Sequence, residues 1–194
     1  YRGAVIDHAS VRHFNDQGIA SIPENRMKAG LAGGLGATDN LLMKSYRSSQ
    51  RLKLGFMKVK ENEEWAQELV KNYDIKTPNL ETPVRKLSGG NQQKLLFARE
   101  MDCNPNLMVA MHPTQGLDVG ATEWVTDQLC ELRDKGSGIL LISEDLDEIL
   151  RLSDRIIVLF DGQIMGDLKN EEISKEHIGL LMAGATVALE EVGV

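Results

Sequence analysis

Leu87-Ser88-Gly89-Gly90-Asn91-Gln92-Gln93-Lys94 is the stretch that decides how this chain is read. Serine is a favoured helix N-cap, so Ser88 marks a helix start. Gly89 and Gly90 then leave two backbone amides uncovered at the positive end of that helix. Such an end favours anions, and a β-carbon at either position would hold a phosphate away from the backbone. A helix over residues 91–101 follows from this start. Taken alone, the same wording also fits an ordinary capped helix, so the flanking sequence must decide between the two.

Downstream, apolar strands alternate with helices. A strand at Leu107–Met111 precedes a helix over Ala121–Arg133. Lys135-Gly136-Ser137-Gly138 then leads into the strand Ile139–Ile142, followed by a helix at Leu146–Leu152 and a strand at Arg155–Phe160. Near-continuous apolar strands separated by helices predict an α/β fold whose largely parallel sheet is covered on both faces. Asp161-Gly162 is a hairpin turn signal, which makes Gln163–Met165 a short antiparallel strand. Upstream, Ala4-Val5-Ile6 and Ile19–Ile22 read as short strands, the second stopped by Pro23. Gly30, Gly33, Gly34 and Gly36 predict a mobile loop before a helix starting near Thr38-Asp39. Trp65, Leu69 and Tyr73 recur every four positions, the pattern of an amphipathic helix over Lys60–Tyr73.

The composition sets bounds. The chain has 194 residues, 42% hydrophobic and 26% charged, which suits one globular domain or most of one. No apolar run approaches the roughly 18 residues that span a bilayer. A net charge of -7 opposes attraction to a phosphate backbone, so nucleic acid is not expected as a partner. Cys103 and Cys130 are isolated and lack a ligand pattern, which suits a reducing cytosol, with a disulfide between them the lesser alternative. His8 and His13 stand five positions apart and His177 is remote, so all three are read as solvated surface and no metal site is expected. Asp145, Asp147 and Glu148 read as a charge cluster at a helix start.

In its order of motifs the chain resembles the ATP-binding-cassette family over nearly all its length. Leu87–Lys94 resembles that family's signature motif. Leu107–Met111 with His112-Pro113-Thr114 resembles its Walker B region, and Gly116-Leu117-Asp118 its D-loop. Ile142-Ser143-Glu144-Asp145 falls at the switch position, and Ile22-Pro23-Glu24 at the Q-loop position. The wording is most similar to the second cassette of the fused ATPases of monosaccharide and nucleoside importers. The resemblance implies a partial P-loop, RecA-like core with a helical subdomain. Residues 1–31 would be the amino-terminal part of the core, 32–100 the helical subdomain ending in the signature helix, and 101–194 the remaining core. It also implies a second cassette and a transmembrane permease as partners, a peripheral position on the cytoplasmic face of the membrane, and Gly33 and Gly34 as hinges.

Departures from the family pattern bear on chemistry. No Gly-x-x-x-x-Gly-Lys-Ser/Thr loop is present. With Tyr1 in place of a starting Met, this leads to the expectation of a piece of a longer chain that does not hold ATP and Mg²⁺ tightly alone. By position, Met111 replaces an aspartate that would support magnesium, and His112 a glutamate that would orient water. A thioether and an imidazole suit hard Mg²⁺ poorly. Glu144 replaces the switch histidine and would bring negative charge toward a γ-phosphate. The resulting expectation is a cassette that donates Ser88, Gly89, Gly90 and Gln92 to the ATP site of its partner, with Asp118 in the D-loop and Glu24 in the Q-loop. Its own site would be hydrolytically degenerate. A soluble non-transport cassette protein and a nucleotide-independent interaction or regulatory module are the alternatives.

Overall fold

The computed structural model describes residues 1, 3, 5–7 and 10–185. The chain forms two compact units, Tyr1–Ile142 and Ser143–Val194. His8 and Ala4 lie outside the described residues.

In the first unit a short helix α1 (Val11–Asp16), capped by Ser10, precedes strand β1 (Ile19–Ile22). A single wide turn of helix at Arg26–Gly30 and helix α2 (Ala37–Leu42) follow. Next come a hairpin of β2 (Leu52–Lys53) and β3 (Phe56–Met57), then helix α3 (Val59–Asn72). Helix α4 (Gly89–Asp102), strand β4 (Leu107–Met111), helix α5 (Val119–Asp134) and strand β5 (Gly138–Ile142) complete the unit. β1, β4 and β5 form a parallel sheet in that order, with Ile19 opposite Leu107 and Met111 opposite Ile142. Ala20, Ile22, Met108 and Ala110 supply one buried alternate set along these strands. Leu95, Leu96, Phe97 and Ala98 bury four successive positions of α4, so it is a core helix with little solvated face.

Three expectations need correction. Val5 and Ile6 form no strand among the described residues, and Val5 is exposed: so short an apolar run does not by itself secure a place in a sheet. The sheet is not covered evenly, because Leu140 and Ile142 are 52% and 40% exposed on β5. The glycine-rich segment is pinned and not open. Buried Asn40 accepts from Ala32 N–H at 2.7 Å and donates to the carbonyls of Ala32 (3.1 Å), Leu35 (3.4 Å) and Gly36 (2.8 Å). A β-carbon on Gly36 would fall 2.2 Å from the Leu80 carbonyl oxygen, so this glycine is fixed by close approach of two backbones.

A buried ionic cluster joins α4 to β1 and α2. Glu100 accepts from Lys44 Nζ at 2.7 Å, Arg99 Nε at 2.9 Å and Ser21 N–H at 3.1 Å. Arg99 also donates to the Gly30 carbonyl at 2.7 Å. Near the far end of α4, Trp65 donates to Asp102 at 3.3 Å and lies under the Arg51 guanidinium, 3.5 Å from its ring centre.

The second unit contains helix α6 (Leu146–Leu152), strands β6 (Arg155–Phe160) and β7 (Gln163–Lys169), and helix α7 (Lys175–Met182). β6 and β7 are antiparallel and turn at Asp161-Gly162, both at positive φ, as the turn signal requires. β7 runs past Met165 to Lys169, where Arg155 holds Asp167 by two hydrogen bonds of 2.6 and 2.5 Å. Its core is Ile156, Val158, Ile178 and Leu181. No helix among the described residues is long and apolar enough to cross a membrane.

Candidate functional site

The start of α4 is where the first unit gathers its motif residues. Ser88 is the N-cap in extended conformation, its Oγ accepting from the Asn91 backbone N–H at 3.4 Å and from Asn91 Nδ2 at 2.8 Å. Ser88 is exposed, whereas Gly89 and Gly90 are half-buried. Neither glycine has a left-handed backbone, and the space beside the two differs. A β-carbon on Gly89 would lie 2.9 Å from Arg26 Nη2 and 3.9 Å from the Gly116 carbonyl oxygen. One on Gly90 would meet Ala121 Cβ at 3.3 Å. Gly90 therefore lets α4 approach the start of α5, whereas the close neighbour of Gly89 is the movable end of Arg26.

That loop is held from two sides. Arg26 Nη1 donates to the Gln115 carbonyl at 3.2 Å, and buried Gln93 donates to the Pro113 carbonyl at 2.7 Å. The loop turns back sharply after β4. His112 sits at φ 45°, its N–H donating to the Ile142 carbonyl at 2.8 Å and its carbonyl accepting from Gln115 N–H at 3.1 Å. Met111 is the last residue of β4, paired with Ile142, and both Met111 and His112 are half-buried. Asp118 is exposed and caps α5, accepting from Ala121 N–H at 2.9 Å.

The remaining residues singled out in the sequence stand elsewhere. Gln92 is buried, and its amide nitrogen donates to the carbonyls of Val84 (3.3 Å) and Leu87 (3.0 Å), securing the turn that leads into α4. Glu24 is exposed in the bend between β1 and Arg26. Glu144 is exposed in the second unit, where Asp145 caps α6 by accepting from Asp147 and Glu148 N–H groups at 2.9 and 3.2 Å. His13 is exposed, His177 is half-buried, and both cysteines are free thiols.

Three residues that hold this region together escaped the sequence reading: Arg26, Asn91 and Gln93. The last two lay inside the quoted motif without a distinguishing pattern, and Arg26 had only its nearness to Glu24 as a signal. Chemically, the α4 start offers backbone amides and a serine hydroxyl to an anion. The end of β4 offers a thioether and an imidazole, a donor set that does not fit Mg²⁺. Among the described residues no three His, Cys, Asp or Glu side chains are placed to hold a metal ion.

A helical insert between β1 and the capped helix α4, a parallel β1-β4-β5 sheet and a turn after β4 that returns to α4 define the ATP-binding-cassette fold. Solved cassettes share the fold. One is a dimeric post-hydrolysis state of an ATP-binding cassette bound to ADP and phosphate, with TM-score 0.66 and 24% identity, covering 82% of this chain and 65% of that one. Another is a nucleotide-free cassette from an ABC transporter, with TM-score 0.64 and 19% identity, covering 92% and 70%.

The chain belongs to the ATP-binding-cassette family, and the curated relatives it matches are import ATP-binding proteins. It is 43% identical to the guanosine import ATP-binding protein of Bacillus subtilis (strain 168), across 95% of this chain and 36% of that protein. It is 39% identical to the nucleoside import ATP-binding protein of Lactococcus lactis subsp. cremoris (strain MG1363), across 94% and 36%. It is 38% identical to the ribose import ATP-binding protein of Oceanobacillus iheyensis, across 83% and 32%. The chain spans about a third of the length of these curated relatives. No protein-family model matches it.

Proposed function

We propose that this chain is the signature-donating cassette of an importer for nucleosides or monosaccharides, the second nucleotide-binding domain of a longer ATP-binding protein. It works at the cytoplasmic face of the membrane with a transmembrane permease and a second cassette. Residues 32–100 serve as its helical subdomain, and ATP with Mg²⁺ belongs to the intact assembly. The carrying observation is the exposed Ser88 at the start of α4, beside half-buried Gly89 and Gly90 and the Gln115–Asp118 loop. In this reading Ser88, Gly89 and Gly90 face the terminal phosphates of ATP held by the partner cassette. Gln92 supports that edge from behind, and Asp118 fixes the neighbouring helix start.

Met111 and His112 at the end of β4 support a cassette whose own site does not hydrolyse. His112 contributes a turn held by its backbone. The bound nucleotide supplies the energy-yielding phosphoryl transfer. This chain's residues bind the γ-phosphate side, orient it through amides and a hydroxyl, and exclude water from that face.

Gly89→Asp in the intact importer tests the reading, because a carboxylate there opposes phosphate and also meets Arg26. ATP-driven uptake should fall at least tenfold while the protein stays assembled with its permease. Normal turnover in that variant refutes the donation, and recovery of ribosomes or DNA without a permease would favour a soluble cassette instead.

A further inference from the structure

We infer that Asn91 is the positioning residue that makes the Ser88 hydroxyl a one-way hydrogen-bond donor. The inference rests on reading the Ser88–Gly90 edge as a phosphate contact. The Lys76 backbone N–H, which can only donate, lies 2.7 Å from one end of the Asn91 carboxamide. That end must therefore be Oδ1, which fixes the orientation of the amide from chemistry alone. Nδ2 then faces Ser88 and donates to Oγ at 2.8 Å, and the backbone N–H of Asn91 approaches the same oxygen at 3.4 Å.

A hydroxyl oxygen has two lone pairs and one proton. Both acceptor positions of Ser88 are filled from Asn91, so the O–H is directed away from the helix end. Ser88 is exposed, and that proton reaches whatever is seated on the edge. An unconstrained serine would rotate and present a lone pair to a phosphate oxygen for part of the time, which is repulsive. Asn91 removes that option without touching the anion.

The strut is anchored beyond Asn91. Lys76 follows Asp74, whose carbonyl and carboxylate accept from Lys94 Nζ at 3.2 and 3.3 Å, and Lys94 stands one turn further along α4. The orientation of one hydroxyl is thus set by the segment that leaves α3.

The experiment uses the intact importer with its permease in lipid vesicles, with MgATP as the varied ligand. Asn91→Asp keeps the shape and still accepts from Lys76 N–H, but it has no hydrogen to give, so Ser88 turns to donate into the carboxylate. Ser88→Ala and Asn91→Asp are each expected to lower kcat/KM for MgATP about tenfold, the scale of one hydrogen bond to a charged group. The double variant is expected to be no worse than Ser88→Ala. Uncharged Asn91→Ala must show the same coupling to Ser88 and replaces Asn91→Asp if that variant does not fold. A merely structural Asn91 would lower the melting temperature and add its loss to that of Ser88→Ala, and such additivity overturns the inference. Ser88→Ala without effect would overturn the phosphate reading and this inference together, whereas coupling lost with Ser88→Ala still harmful overturns the inference alone.

Discussion

Glu100→Gln should be among the most damaging single-atom changes in the first unit. The carboxylate is 2% exposed and accepts from Lys44, Arg99 and the Ser21 N–H at 2.7, 2.9 and 3.1 Å. A glutamine keeps one acceptor oxygen and turns an NH₂ toward one of two cations. The buried cluster goes from one uncompensated positive charge to two. Breaking a buried pair in this way costs about 3–5 kcal/mol, or roughly two to four powers of ten in the folding equilibrium at 1.36 kcal/mol each. The sequence has two tryptophans, Trp65 and Trp124, and both lie in the first unit, so their fluorescence in a urea titration follows that unit alone. The midpoint should fall with little change in slope. Added salt should restore little, because buried charges are weakly screened. Lys44→Met in the Glu100→Gln background removes the surplus charge and should return part of the loss. A cost under about 1 kcal/mol, the scale of exposed pairs, would show that the cluster does not hold α4 to β1.

Asn40→Leu keeps the volume but deletes four hydrogen bonds to residues 32, 35 and 36. It should cost about 2–4 kcal/mol in the same titration, and near-neutrality would mean that the segment finds other partners. Burial first, then the negative charges of Asp102 and Glu131, pushes the Tyr73 hydroxyl up to about 12 from its ordinary 10.0. The unfolded chain therefore loses this proton before the folded one. The contribution to stability is complete below pH 10 and is lost as pH rises toward 12. Phenolate absorbance should show a late step that Tyr73→Phe removes. If the proposed import role holds, Met111→Asp with His112→Glu in the intact assembly should leave uptake in place, and its abolition would give these residues, as they stand, an indispensable role.

The core strands were legible because β1, β4 and β5 are apolar runs bounded by Pro23, Asn104-Pro105 and the Lys135–Gly138 turn. The capped start of α4 was legible because Ser88 and two glycines have few other uses together. The β2–β3 hairpin was not, since each strand has two residues and its turn is Leu54-Gly55, with leucine at a positive φ that sequence pattern does not favour. The glycine-rich segment misled for a different reason. Glycine frequency reports backbone freedom in the unfolded chain, whereas order there comes from the buried Asn40 amide and the nearby Leu80 carbonyl. Arg26 and Gln93 act across long sequence separations, on Gln115 and Pro113, and no local pattern announces such contacts.

The Asn40 knot sets a rule for grafting. Because one carboxamide closes on the backbone of residues 32, 35 and 36, the spacing from Ala32 to Asn40 is fixed to the residue. A chimera that exchanges this segment with a relative must move the asparagine together with its loop, and a single inserted residue between them would unseat the amide that a point change at Gly34 would leave alone.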